Sequence, residues 1–343
     1  MARGTIRRRR AVAAVLTSGL LGLLSACGAG GAGRDDGALT FAGSPTGTPV
    51  DALQPYAIAQ GFYQRNGITL TYTPGRSLPE MAASLIGGSA DLGLLGVSAT
   101  EPLIRQGECF RFLTANQVAY YRLIARPGVP LAHPGTAFPE SAQNLRGRKI
   151  GIVSMGGAQE RILTEMLAKA GMSTADVTLV AIGGATTAVP AFQAGQVDIM
   201  MSSPPSEQLL GAGNFHVVAD FMQDPSLPGH GVVQTFTGAR CDFVDEHPDL
   251  VRAYCRASAQ AAAALRDPAG ADGVVDFMAR SSGLAHDVSA AVWEQYSSVW
   301  TTGEITEEIW RDAALLLPRG VSMPDFSVVD QSCQEEIRQV ARG

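Results

Sequence analysis

The sequence predicts an α/β fold of two similar, doubly wound lobes that face each other across a cleft, and three observations carry the prediction. One unit occurs twice: Leu85-Ile86-Gly87-Gly88-Ser89-Ala90-Asp91-Leu92-Gly93 is matched by Phe192-Gln193-Ala194-Gly195-Gln196-Val197-Asp198-Ile199-Met200, with Gly88 on Gly195 and Asp91 on Asp198. Each copy follows two strand-loop-helix modules, and strand, helix, strand, helix, strand in sequence gives a parallel sheet with right-handed crossovers. The chain of 343 residues, 46% hydrophobic and 17% charged, has room for two cores, while two units of this length are too few for a solenoid.

At the amino end, Arg7 to Arg10 form a cationic start and Ala11 to Leu24 an apolar run too short to span a bilayer. Leu24-Ser25-Ala26-Cys27 follows directly and is similar to a bacterial lipobox. That resemblance implies a lipoprotein signal peptide over 1–27, with Cys27 carrying the lipid. Export by the Sec or the twin-arginine route stays open. Gly28 to Ala38 has no apolar periodicity and the composition of a flexible tether.

Leu39 to Ala42 is the first strand, opening into the hydroxyl-rich loop Gly43 to Pro49, whose Ser44 and Thr46 can cap the next helix or meet a ligand. A helix runs to Asn66-Gly67, Ile68 to Tyr72 is a strand, Pro79 to Ile86 a helix, and the strand after Asp91 ends at Gly96-Val97-Ser98. Tyr120 to Ala125 reads as a strand carrying the chain out of the first lobe, with one tyrosine toward the core and the other toward the cleft mouth. Lys149 to Val153, the loop Ser154 to Gly157 and a helix to Ala170-Gly171 open the second copy. Strand Val177 to Ala181, helix Thr187 to Ala194 and the strand after Asp198 continue it to Ser203-Pro204. Val217 to Asp220 completes that lobe and Val232 to Phe236 returns, so the chain crosses twice and the crossings form a hinge. The expected boundaries are 39–125 with 232–343 for lobe one and 126–231 for lobe two.

Composition and motifs narrow the chemistry. The formal charge is -6, and setting aside Arg3 and Arg7 to Arg10 makes the remainder more acidic, the wrong balance for a nucleic-acid partner. The five histidines are scattered and no H-E-x-x-H occurs, so no metal is expected. Gly96-Val97-Ser98-Ala99-Thr100 lacks the last glycine of a nucleophile elbow and no phosphate-binding loop is present, so neither an enzyme nor a cofactor is expected. Beyond Cys27, the cysteines Cys109, Cys241, Cys255 and Cys333 are even in number, and three pairings are open.

Tyr56-Ala57-Ile58-Ala59-Gln60-Gly61-Phe62-Tyr63-Gln64-Arg65-Asn66-Gly67-Ile68 resembles a segment of the bacterial solute-binding proteins for nitrate, sulfonates, taurine and thiamine-precursor pyrimidines. Gly87 to Gly93, Asn144 to Gly151, Ala194 to Asp198 and His247 to Ala253 then match in the family's order. The resemblance implies the type II periplasmic binding protein fold, with the helical remainder from Asp245 packed on lobe one. It also implies a monomeric, extracytoplasmic solute-binding component of an ABC importer, anchored to the membrane and working with permease and ATPase subunits. A non-transport sensor lipoprotein is the alternative.

In open parallel sheets ligands sit beyond the carboxyl ends of the strands, where helix amino termini converge. The candidate site is therefore Ser44 and Thr46, Gly96, Val97 and Ser98, Tyr121, the loop Ser154, Met155, Gly156 and Gly157, and Ser203 with Pro204. The Ser154 loop offers free backbone N–H groups of the kind an anion needs. Arg76 and Arg122 are candidate counter-charges, whereas Asp91 and Asp198 read as turn-holding residues. Ser203 stands where many relatives of the resembled family carry an aromatic, which weakens the case for a stacked pyrimidine and leaves a sulfonate-like anion as the preferred solute.

Overall fold

A computed structural model describes residues 37–45 and 47–342. The expected signal segment with Cys27, the expected tether up to residue 36, and Thr46 lie outside the described residues. The chain begins with β1 (Ala38–Gly43), α1 (Leu53–Ala59), α2 (Phe62–Arg65), β2 (Thr69–Pro74), α3 (Leu78–Ile86), β3 (Leu92–Leu95), α4 (Val97–Arg105) and β4 (Phe110–Val118). It continues through β5 (Arg122–Ala125), β6 (Lys149–Ile152), α5 (Ala158–Lys169), β7 (Thr178–Ala181), α6 (Ala185–Gln193), β8 (Ile199–Ser202), α7 (Ser206–Leu210) and β9 (His216–Asp220). After β10 (Val233–Arg240) come α8 (Cys241–Glu246), α9 (Pro248–Arg266), α10 (Ala271–Ser282), α11 (His286–Tyr296), α12 (Glu307–Asp312) and α13 (Gln331–Arg342).

The strands form two five-stranded sheets, ordered β2-β1-β3-β10-β4 and β7-β6-β8-β5-β9. Replacing each strand of the first by its counterpart in the repeat gives the second, so the duplication seen in the sequence extends to the whole sheet. The parallel pairing expected from the strand-helix alternation holds for β2-β1-β3 and β7-β6-β8. The strand inserted next is antiparallel to β3 in one sheet and to β8 in the other. Both sheets are therefore mixed, because β5 and β10 are the strands that arrive from the opposite lobe.

Two expectations about the first crossing need correction. The sequence reading keeps 122–125 with lobe one, but β5 pairs with β8 and β9 of the second sheet. Residues 119–121 belong to neither strand, so Tyr120 and Tyr121 escape the alternation that a strand would impose on them.

Strand periodicity explains how the second sheet is covered. Ile124 and Met200 face a small cluster with Phe192, Val189 and Leu210, whereas Leu123, Ile199 and Met201 join the large core with Ile162, Leu163 and Met166. In the first sheet Phe41, Leu92, Phe112 and Phe236 are fully buried, and Phe112 meets Trp310 edge-on with ring centroids 4.6 Å apart. Burying an aromatic of this size stabilises a core by roughly 2–3 kcal/mol.

The helical remainder packs mainly on the first sheet, where α9 lies against α1, α2 and α13. It also reaches the second: Gln295 of α11 accepts from Gln208 at 2.8 Å, and Arg319 pairs with Glu165 at 3.2 Å. Two disulfides tie this remainder down, Cys109–Cys241 between the starts of β4 and α8 and Cys255–Cys333 between α9 and α13.

Candidate functional site

The carboxyl ends of both sheets open onto one cavity of about 300 Å³. From the first sheet come Ser44 and Pro45 after β1, Asp51, Arg76 and Ser77 after β2, Leu78 and Met81 of α3, Leu94 of β3 and Gln117 of β4. The second sheet supplies Val153 and Ser154 after β6, Gly157, Ala158 and Gln159 at the start of α5, and Ser203 after β8. Tyr120 and Tyr121 on the first crossing and Gln234 and Thr235 at the end of the second close the back.

Asp51 is the acidic group of this wall. It sits in a turn over Pro49–Asp51 whose position is fixed by three contacts. Its backbone N–H donates to Thr48 O at 3.1 Å, and Trp300 Nε1 donates to Val50 O at 2.8 Å. Gln117 Nε2 donates to Asp51 Oδ1 at 2.6 Å, and Gln117 is itself set by the β4–β10 ladder opposite Thr235. Burial pushes the Asp51 carboxyl above its ordinary value, while hydrogen bonds from Ser44 and Gln117 pull it back.

Tyr120 and Tyr121 both line the cavity, with ring centroids 4.8 Å apart, so the expected split between core and cleft does not occur. The Tyr121 hydroxyl donates to Gln234 Oε1, and Gln234 Nε2 donates to Val118 O at 3.0 Å, which ties the two crossings together. Burial raises the pKa of both tyrosines, so they stay neutral hydrogen-bonding groups. Thr235 lines the cavity, and its Oγ1 is buried with no hydrogen-bond partner among the described residues.

The Ser154 loop corrects a sequence expectation. The loop's N–H groups are expected to be free for an anion, but that of Gly156 donates to Glu160 Oε2, and just before the loop Val153 N–H donates to Gln159 Oε1 at 2.7 Å. The first turn of α5 thus supplies its own anion. Glu three residues past an amino cap is a sequence signal for this arrangement.

Of the predicted site residues, Ser44, Tyr121, Ser154, Gly157 and Ser203 line the cavity. Met155 projects from the loop and is 56% exposed, Gly156 turns there with a φ of 78°, and Pro204 is cis to Pro205 behind Ser203. Gly96 caps α4 and its Cβ position is filled by Leu78, Val97 is buried, and Ser98 follows on the same helix, all three outside the lining. Thr46 lies outside the described residues. Arg76 reaches the rim, 90% exposed and 3.3 Å from Glu80. Arg122 lies outside the lining, holding Glu207 at 3.0 Å and Asp220 at 2.7 Å. The sequence reading missed Asp51, Gln117, Gln159, Gln234 and Thr235.

Two sheets of this order, joined by two crossings with a cavity between their carboxyl ends, define the periplasmic binding protein-like class of folds. The family model described as NMT1/THI5 like matches residues 54–271, and the chain belongs to that family. A riboflavin-binding protein of Chloroflexus aurantiacus is 27% identical, the match covering 88% of this chain and 93% of the relative. Among solved structures, the alkanesulfonate-binding protein of Xanthomonas axonopodis bound to MOPS is similar with a TM-score of 0.66 and 19% identity, covering 87% of this chain and 99% of that one. The periplasmic nitrate-binding protein of Synechocystis is similar with a TM-score of 0.65 and 13% identity, covering 90% and 89%.

Proposed function

We propose that the protein is the extracytoplasmic solute-binding component of an ABC importer, a monomer held to the membrane by a lipid on Cys27, whose lobes close on a small solute and present it to a permease. The single observation that carries this reading is the composition of the cavity wall. Loops after β1 and β2 face loops after β6 and β8, so one solute touches both lobes. A solute that gains contacts only when both walls meet shifts the population toward the closed form. We place the division between the moving lobes at 119–121 and at 221–232, the two passages between the sheets. ATP hydrolysis belongs to a partner subunit.

The solute-binding names of the relatives support the transport reading, and they span two solute classes. A sulfonate-like anion has hydroxyls at Ser44, Ser154 and Ser203 and a cation at Arg76 in its favour. A heteroaromatic such as a thiamine-precursor pyrimidine or a flavin has Tyr120 and Tyr121.

The test is a thermal-shift screen of the purified protein with sulfonates, taurine, nitrate, pyrimidines and riboflavin. A solute at about 100-fold its Kd adds about 2.7 kcal/mol of stability. Stabilisation accompanied by compaction in small-angle scattering supports capture between lobes, and stabilisation without compaction refutes closure. For the anchor, Cys27→Ser releases the protein from the membrane fraction, and unchanged retention with unchanged mass refutes lipidation.

A further inference from the structure

We infer that Asp51 sets the solute class: its carboxylate accepts hydrogen bonds from the N–H edge of an uncharged or cationic nitrogen heterocycle and turns away anions. The inference rests on the solute-capture reading above and commits it to one of its two classes.

Among the described residues no cation stands within 4.0 Å of Asp51, and the guanidinium at the rim, Arg76, spends its charge on Glu80 instead. An acceptor-only anion in this cavity would therefore lie near an uncompensated carboxylate, with like charges poorly screened by a partly buried wall. Across the cavity the Gly156 N–H is already taken by Glu160, whose carboxylate places a second negative charge at the start of α5.

Hydrogen-bond capacity points the same way. An ionised carboxylate has about four lone-pair sites. Gln117 takes one at 2.6 Å and Ser44 supplies a second hydrogen bond. The remaining acceptor capacity belongs to a side chain on the cavity wall, and Trp300, through Val50 O, holds that side chain's turn in place without ligand. A group positioned in advance is suited to recognition, because little ordering is left for binding to accomplish.

The rest of the wall suits a flat ring. Tyr120 and Tyr121 lie beside Asp51, Val153 is 40% exposed on the facing lobe, and Thr235 offers an unpartnered hydroxyl. An N–H-bearing heterocycle can place its donor edge on Asp51, its acceptor on Thr235 and its faces between tyrosine and valine. A sulfonate has no donor for Asp51 and no face for the tyrosines.

Calorimetry on the full chain and on Asp51→Asn tests this with three probes: the aminopyrimidine of thiamine, lumichrome and methanesulfonate. Asparagine keeps an acceptor for Gln117, and a melting curve confirms that the variant is folded. The expected result is that wild type binds at least one heterocycle and not methanesulfonate, and that Asp51→Asn weakens heterocycle binding by about 10- to 100-fold, the effect of losing a charge-assisted hydrogen bond. Heterocycle binding that is equal in both proteins overturns the assignment of Asp51. Methanesulfonate binding without heterocycle binding overturns the solute class while leaving solute capture intact. Silence to all three probes also overturns the class, and only silence across the wider screen with no compaction would bring down capture itself.

Discussion

Asp91 and Asp198 make the same pair of bonds at the same place in the two sheets. The Asp91 carboxylate accepts the backbone N–H of Thr40 at 2.8 Å while its own N–H donates to Thr40 O at 2.9 Å. The Asp198 carboxylate accepts from Lys149 N–H at 3.0 Å and its N–H donates to Lys149 O at 2.9 Å. Each aspartate thus fastens the third strand of its lobe to the beginning of the first, and the repeat preserves a folding contact.

This contact predicts an ordered pair of stability losses. Asp91 is 8% exposed, so Asp91→Ala leaves a shielded N–H without its acceptor and costs about 1–3 kcal/mol. Asp198→Ala, at a wetter site, costs less. Urea unfolding of both variants measures the difference, and equal losses would contradict the burial argument.

Arg122 anchors a second, less exposed device. Its guanidinium lies between Glu207, whose side chain is 4% exposed, and Asp220. Arg122→Leu leaves the buried Glu207 carboxylate with the hydrogen bonds from Ser202 and Gln295 but without its cation, and lowers stability by about 3–5 kcal/mol. The double variant Arg122→Leu/Glu207→Gln recovers part of that loss in the same unfolding assay. No recovery would mean that packing, rather than charge, is what Arg122 supplies.

The Ser154 loop yields a third. Removing the carboxylate that caps it, by Glu160→Ala, frees the Gly156 N–H and costs about 0.5–2 kcal/mol in thermal unfolding. A variant as stable as wild type would show that water replaces the carboxylate without loss.

A fourth follows from the titration of Asp51. Its folded pKa lies above the ordinary 3.8 because of burial, so the folded state binds the proton more tightly than the unfolded state does. Stability from this group is therefore present at low pH and lost as pH rises through the folded pKa. Asp51→Asn removes that loss, so the solute-free variant melts higher than wild type at pH near 7, and the gain vanishes on acidification below the unfolded value. A gain that is constant with pH would refute the linkage.

Much of the fold was legible because its signals are local. The glycine-closed helices, the strand after each aspartate and the order of modules all lie within windows of ten or so residues. The site was less legible. Ser44, Ser154 and Ser203 sit within two residues of a strand's carboxyl end, where position alone marks them. Gln117 and Thr235 are distant in sequence and meet only through the β4–β10 ladder, while Asp51 looks like an ordinary acidic residue in a first turn. The Ser154 loop differs in the opposite sense, since the Glu160 side chain folds back to take the Gly156 N–H, a contact that the glycines of the loop do not announce. The tyrosines misled because a break in the strand at 119–121 cannot be read from a run of β-forming residues.

The placement of β10 constrains the order of assembly. Among the described residues β4 is an edge strand whose ladder partner is β10, and β10 lies beyond the entire second sheet in sequence. A chain emerging amino end first therefore holds Phe110–Val118 as an unattached, largely apolar segment until residue 240 is available. Cys109 and Cys241 flank this same junction, and their bond can close only after that late arrival. The second sheet, complete by Asp220, has no such wait. In terms of chain supply, every strand of the carboxyl-side copy of the repeat is available before the amino-side copy receives its last one, the reverse of the order in which the two copies begin.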